Sequence, residues 1–190
     1  MTAVLWTSIA FLSGALPFSV WIGRLALGHD IRQIGDHNPG AANVYRAGGK
    51  RWGALAIILD FLKGAAPVSL AHYAVGLAGW SLVIVALAPI LGHAYSPLLG
   101  FRGGKALAVT FGIWTGLTLW QVPLALGLFL ALWLALLAAE GWAVLFGMLT
   151  LLGGLALAGA SWELFAVWLG NFLILTWKHR HDLQQLPRRE

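Results

Sequence analysis

The side chains able to do chemistry in this sequence are gathered in three short polar stretches. The first, IGDHNPGAANVYRAGGK at residues 34–50, is rich in glycine, asparagine and charge. Gly35, Gly40, Gly48 and Gly49 allow tight turns and close approach of a ligand. Successive free N–H groups in such a loop form an anion-binding nest. Asn38 and Asn43 add side-chain donors, and Arg46 adds a planar, permanently charged fork that matches phosphate or carboxylate. The plainer alternative is a loop whose glycines only make turns. Length and residue choice favour a site, without naming its ligand.

The second stretch, LGHAYSPLLGFRGGKALAVTFG at residues 91–112, places Gly103, Gly104 and Lys105 directly before an expected helix. A glycine turn at a helix N-terminus offers unpaired N–H groups and a favourable dipole to an anion. This is not a Walker A loop: the spacing is absent, and Ala106 stands where Ser or Thr is required. Arg102 reads as an anchor at the membrane surface. His93 is open between a ligand and an interfacial residue.

The third stretch, WKHRHDLQQLPRRE at residues 177–190, holds His179 and Asp182 at i and i+3, on one helical face. Histidine serves as a general base near neutral pH. Arg188 and Arg189 read as a solvated basic tail that fixes topology. No metal-ligand spacing is present, and neither a metal nor another cofactor is expected. Asp60 and Lys63 lie inside an apolar run at i and i+3. Charges at membrane depth are costly and normally paired, so they pair with each other or one faces a polar cavity. Glu140 is open between a functional and an interfacial role.

The elements that must position these residues are membrane helices. The 190 residues are 59% hydrophobic and 10% charged, with mean hydropathy +0.80. Soluble domains carry about a quarter charged residues. An all-α integral membrane protein is expected, in one domain over residues 1–190. A helix needs about 20 residues to cross the hydrocarbon, fewer where the bilayer thins. Apolar runs and breakers predict about seven spans, at 3–23, 54–74, 80–92, 106–119, 122–139, 142–159 and 163–177; five remain an alternative. The chain has no cysteine, which excludes disulfides.

Apart from Lys63, the 12 Lys and Arg lie in segments 24–51, 93–105 and 178–190, which contain or overlap the three polar stretches, and residues 106–177 have none. Basic residues in short loops mark the cytoplasmic side. The pattern places all three stretches there, with the N-terminus outside and the C-terminus inside. It is a topology signal and not a nucleic-acid footprint. The N-terminal run lacks the positive start of a signal peptide and reads as an uncleaved first span. Trp21, Trp52, Trp80, Trp120, Trp142, Trp162 and Trp177 fall near span ends, where the indole favours the headgroup region.

Three inner-face stretches with phosphate-friendly groups point to a small phosphorylated substrate beside a lipid-soluble one. With these motifs the chain resembles the acyl-phosphate-dependent glycerol-3-phosphate acyltransferases of bacteria, PlsY. The family's G-S-G-N-x-G-A-T-N-V-x-R reads GDHNPGAANVYR here, and G-H-x-[FY]-P-x-x-x-x-F-x-G-G-K-G-x-A reads GHAYSPLLGFRGGKALA. The C-terminal H-R-E-N reads HRHD, and the flanks PFSVWIGRLALGHDIRQIG and LDFLKGAAPV also look like the family.

The resemblance implies transfer of a fatty acyl group from acyl phosphate to the sn-1 hydroxyl of glycerol 3-phosphate. The products are lysophosphatidate and phosphate, formed without a metal at the cytoplasmic face of the bacterial inner membrane. It implies substrate binding by Asn38, Asn43 and Arg46, with His93 in the same group. Gly103, Gly104 and Lys105 would cradle phosphate, and His179 would orient or deprotonate the hydroxyl. Asp36 stands at the motif's Ser, His37 at its Gly, Ala42 at its Thr, Ser96 at its Pro and Ala106 at the last Gly of G-G-K-G. His181 and Asp182 stand at its Glu and Asn, and no Ser lies near AAEGWAVLFG, where the family's inner loop carries one. Asp36 is then tolerated or acts as a base, with Asp182 beside His179. A relative acylating another small alcohol, a non-catalytic lipid- or anion-binding protein and a small transporter are the alternatives.

Overall fold

The computed structural model describes residues 1–185 and Pro187; the tail arginines Arg188 and Arg189 lie outside the described residues. Among the described residues the regular structure is entirely helical. It comprises α1 (Thr2–Ala15), α2 (Phe18–Ala26), α3 (Ala41–Ser69), α4 (Gly79–Ala94), α5 (Leu107–Thr118), α6 (Gln121–Leu136), α7 (Glu140–Leu157) and α8 (Trp162–Lys178), with short 3-10 and π turns. The helices after α3 fall within about three residues of the apolar runs. Four stretches are long and apolar enough to cross a membrane: Thr2–Ala26, Ala41–Ala74, Gly79–Leu99 and Glu140–Leu157. Helices α5 and α6 are shorter; the 12 residues of α5 rise only ~18 Å.

Two expectations are corrected. The run at 3–23 is not one continuous helix. Pro17 has no N–H and disfavours a helical residue before it. Leu16 is accordingly extended, with φ −63° and ψ 121°, and the chain restarts as α2. The stretch at 34–50 is not a loop throughout, because α3 begins at Ala41. Ala41, Asn43 and Val44 are buried there, and Ala41 and Val44 pack in a cluster with Val20, Ile22 and Ile31. Only Gly49, at φ 73° and ψ −166°, interrupts the helix.

The break at Pro17 frees backbone carbonyls among buried residues, where each needs a partner. Lys63 Nζ donates to Leu16 O at 2.8 Å, and Ser96 Oγ donates to Ala15 O at 2.6 Å. Lys63 is paired with Asp60 at 2.7 Å. Ser19 Oγ donates to the other oxygen of Asp60 at 2.8 Å, and Ser13 Oγ donates to Lys63 O at 2.8 Å. The charge pair thus does more than neutralise itself: it seals the broken helix. Ser96, at the motif's Pro position, belongs to the same seal.

Helix crossings are close where side chains are small, as expected without a hydrophobic drive between helices. Gly14 and Gly92 bring α1 against α4, and Gly64 and Gly112 bring α3 against α5; a methyl at any of them would meet backbone atoms of the facing helix. Asn171 ties α8 to α5, accepting from Trp114 Nε1 at 3.0 Å and donating to Thr110 Oγ1 at 3.0 Å. Six of the seven span-end tryptophans are exposed; Trp142 instead donates Nε1 to Gln185 O at 2.8 Å.

Lys63→Met is expected to lower stability by ~3–5 kcal/mol, because it leaves a buried carboxylate and the Leu16 carbonyl unpaired. Thermal unfolding in detergent measures it. A midpoint equal to that of the wild type contradicts the assignment.

Candidate active site

The segment before α3 is shaped by a 3-10 turn, Ile31–Gln33. Its cap, Asp30, accepts from Arg32 N at 3.1 Å and pairs with Arg32 and Arg24 at 2.6 and 3.1 Å. Gly35 and His37, at φ 59° and 60°, then fold the chain back on the first turn of α3. The Asp36 carboxylate accepts from Asn38 N at 3.3 Å and Asn43 Nδ2 at 3.0 Å. Asn43 Nδ2 also donates to Asn38 O at 2.9 Å, and Asn43 Oδ1 accepts from Arg46 Nη1 at 2.6 Å. Arg46 Nη1 is itself 3.6 Å from Asp36.

The second segment leaves α4 at His93 and Ala94 and returns against them. Gly104 N donates to His93 O at 3.2 Å. A methyl at Gly103 would run into the His93 carbonyl oxygen, and one at Gly104 into the His93 ring. These glycines are therefore required for close approach. The left-handed position is Ala106, with φ 64°, where the family motif has Gly; a Cβ there costs ~1–2 kcal/mol of strain. Lys178 Nζ fastens the turn, donating to Ala94 O at 3.0 Å and Gly103 O at 2.8 Å.

The third segment starts where α8 ends. His179 is buried, and its Nδ1 meets Leu175 O at 2.8 Å. A carbonyl only accepts, so Nδ1 carries the proton and Nε2 presents its lone pair. Among the described residues Nε2 has no hydrogen-bond partner. Asp182 turns to Lys105, whose Nζ lies 2.8 Å from it and 2.9 Å from Asp36. Lys105 thereby joins all three polar segments.

Two cavities meet at this point. A polar cleft of about 510 Å³ is lined by Asp36, Asn38, Gly103, Lys105, Lys178 and Asp182, among others. An apolar pocket of about 280 Å³ is lined by Ala41, Ile57, His93, Leu107 and Phe111, among others. Asn38 and Lys105 line both.

The sequence matches the family model described as glycerol-3-phosphate acyltransferase over residues 4–189. The chain belongs to the glycerol-3-phosphate acyltransferase family. It is 36% identical over 197 residues to glycerol-3-phosphate acyltransferase 1 of Thermotoga maritima, covering 94% of each chain. It is 39% identical over 193 residues to the Thermus thermophilus glycerol-3-phosphate acyltransferase, covering 98% of this chain and 92% of that one. The crystal structure of PlsY, an integral membrane glycerol 3-phosphate acyltransferase, in its glycerol 3-phosphate form superposes with a TM-score of 0.89. Identity is 30%, over 97% of this chain and 91% of that one. The lysophosphatidic acid form of that protein gives 0.87.

In this family member the charges around Lys105 are strongly coupled. Burial pushes the Asp36 carboxyl up, but the Lys105 ammonium, with Asn38 and Asn43, more than offsets it and holds Asp36 below its ordinary value. Such a carboxylate is a weak base at neutral pH. Burial pushes Lys105 down, but Asp182, Asp36 and the nearby charge of Glu140 hold it above its ordinary value. Burial lowers His179, and its Leu175 contact only partly opposes this, so the imidazole is neutral at pH 7.

The structure brings together Asp36, Asn38, Asn43, Arg46, Gly103, Gly104, Lys105 and Asp182. His179 stands at the base of the same segment, and no hydrogen bond joins it to Asp182 among the described contacts. His93 lies under the glycine turn and lines the apolar pocket. Two residues were missed by sequence reasoning. Lys178 was read only as a topology anchor. Gly141 admits the tail against α7, since a methyl there would meet Asp182; its one signal is the Gly in the EGW break.

Gly103→Ala is expected to cost ~1–3 kcal/mol by overpacking. Gly153→Ala, in open space within α7, is expected to be neutral or slightly stabilising. Thermal midpoints of the two variants compare them directly, and equal midpoints contradict the packing of the turn.

Proposed function

We propose that the protein acylates glycerol 3-phosphate in membrane phospholipid synthesis, taking the acyl group from acyl phosphate. The observation that carries this reading is the meeting of a cationic cleft and an apolar pocket at Lys105. An acyl phosphate has that same division, with its chain suited to the apolar pocket and its phosphate to the cleft. The glycerol 3-phosphate hydroxyl attacks the acyl carbonyl carbon. The bond from that carbon to the phosphate oxygen breaks, giving lysophosphatidate and inorganic phosphate. Positioning two substrates and stabilising the leaving phosphate supply most of the acceleration.

In this scheme Lys105 and the Gly103 N–H hold phosphate, while the Gly104 N–H, bonded to His93 O, only fixes the turn; Asn38, Asn43 and Arg46 shape the opposite wall. His179 takes the hydroxyl proton at Nε2, for which its fixed tautomer and neutral state suit it. Asp36 and Asp182 act through Lys105, since a carboxylate bound by several donors is a poor proton acceptor. The chain forms one domain that crosses the bacterial inner membrane seven times. Its N-terminus is outside, its C-terminus inside and its cleft opens to the cytoplasm, a topology supported by the clustering of basic residues.

Purified protein given acyl phosphate and glycerol 3-phosphate is expected to release lysophosphatidate and phosphate in equal amounts. Lys105→Ala should abolish turnover, and His179→Ala should reduce it by ~10²–10⁴-fold. The acid limb of the pH–rate profile should fall below the ordinary imidazole range, because a base with a lowered pKa stays deprotonated to lower pH. No product above an enzyme-free control contradicts the reading.

A further inference from the structure

Asp36 is the anion around which the first polar segment is arranged. Its carboxylate accepts from Asn38 N and Asn43 Nδ2, contacts Lys105 Nζ at 2.9 Å and lies 3.6 Å from Arg46 Nη1. These three polar residues and the lysine are the ones whose types and spacing assign them to a phosphate. Asn43 in particular has little freedom to turn elsewhere. Asn43 is 1% exposed and its amide is engaged at both ends. Gly35 and His37 fix the turn that carries Asp36. The donors therefore converge on one point, and the chain's own carboxylate stands there.

A carboxylate and a phosphate monoester present similar anionic oxygens and compete for the same N–H groups. A phosphate at Lys105 must break a charge-assisted bond to Asp36, or place two anions side by side. A Ser, as in the family motif, carries no charge to compete. Asp182, 2.8 Å from the same ammonium, also stands where the motif has a neutral residue. Both departures from the motif fall on one amine.

We propose that Asp36 is a built-in competitor for the phosphate cradle of this enzyme, so that phosphate-bearing ligands bind more weakly and leave more readily than a neutral residue would allow. This rests on reading the cleft as the phosphate site. It applies to substrate glycerol 3-phosphate and product phosphate alike.

The test is calorimetric titration of the full-length protein in detergent, without acyl donor, using glycerol 3-phosphate and then inorganic phosphate. Wild type, Asp36→Ser and Asp36→Asn are compared, with thermal midpoints to establish folding. Asn keeps the side-chain shape and removes the charge, so it decides the matter where Ser disturbs the turn. Both variants should bind each ligand about tenfold tighter, equivalent to ~1.4 kcal/mol. Unchanged or weaker binding by a folded variant overturns the proposal. Tighter binding in variants of a wild type that shows no turnover retains it and removes the acyl-transfer reading. Turnover in the wild type without tightening does the reverse.

Discussion

Lys105 holds its ammonium between two carboxylates that reach it from opposite ends of the chain, Asp36 at 2.9 Å and Asp182 at 2.8 Å. Most of the site follows from this contact. Asp36 draws in Asn43 and the Asn38 backbone, and Arg46 closes on Asn43. Asp182 brings the tail against the start of α7, where Gly141 leaves room for it. Without the ammonium the two carboxylates would repel, and the segments would have no common partner. An exposed ion pair is worth little. This one is partly buried and forked, so its geometry is better defined than that of a surface pair.

The second constraint is the membrane. A chain this apolar cannot leave backbone groups unpaired in hydrocarbon, yet the first run breaks at Pro17. Asp60, Lys63, Ser19 and Ser96 answer the break from α2, α3 and the end of α4. Their effect is to hold those elements in register just beneath the cleft. Asp60 and His93 line the apolar pocket from this side. The buried polar cluster and the candidate site are therefore neighbours that share a wall.

Much of this was legible in the residues. Apolar runs located α4 to α8, since a helix in lipid must be apolar along most of its length. Lys105 and His179 were legible because basic residues and histidine are rare in such a chain, and the glycine turn because it stands directly before Lys105. What the sequence hid were interactions between segments. The helical start of α3 was masked by the glycines and asparagines of residues 34–50, whose propensity is overridden by burial of Ala41 and Val44. The capture of Asp36 by Lys105 joins residues 69 positions apart (105 − 36) and leaves no periodic trace. Lys178 looked like any basic anchor because its acceptors are backbone carbonyls of another segment. Asp60 and Lys63 were legible as a pair, but not as the seal of a helix broken more than 40 residues earlier.

The central claim is that Lys105 and Asp182 act as a unit that unites the segments. A double-mutant cycle with Lys105→Met, Asp182→Asn and both together measures it most directly, read as the thermal stability of the full-length protein in detergent. The account predicts a coupling energy of ~1 kcal/mol or more between the two positions. Single effects that simply add would contradict it.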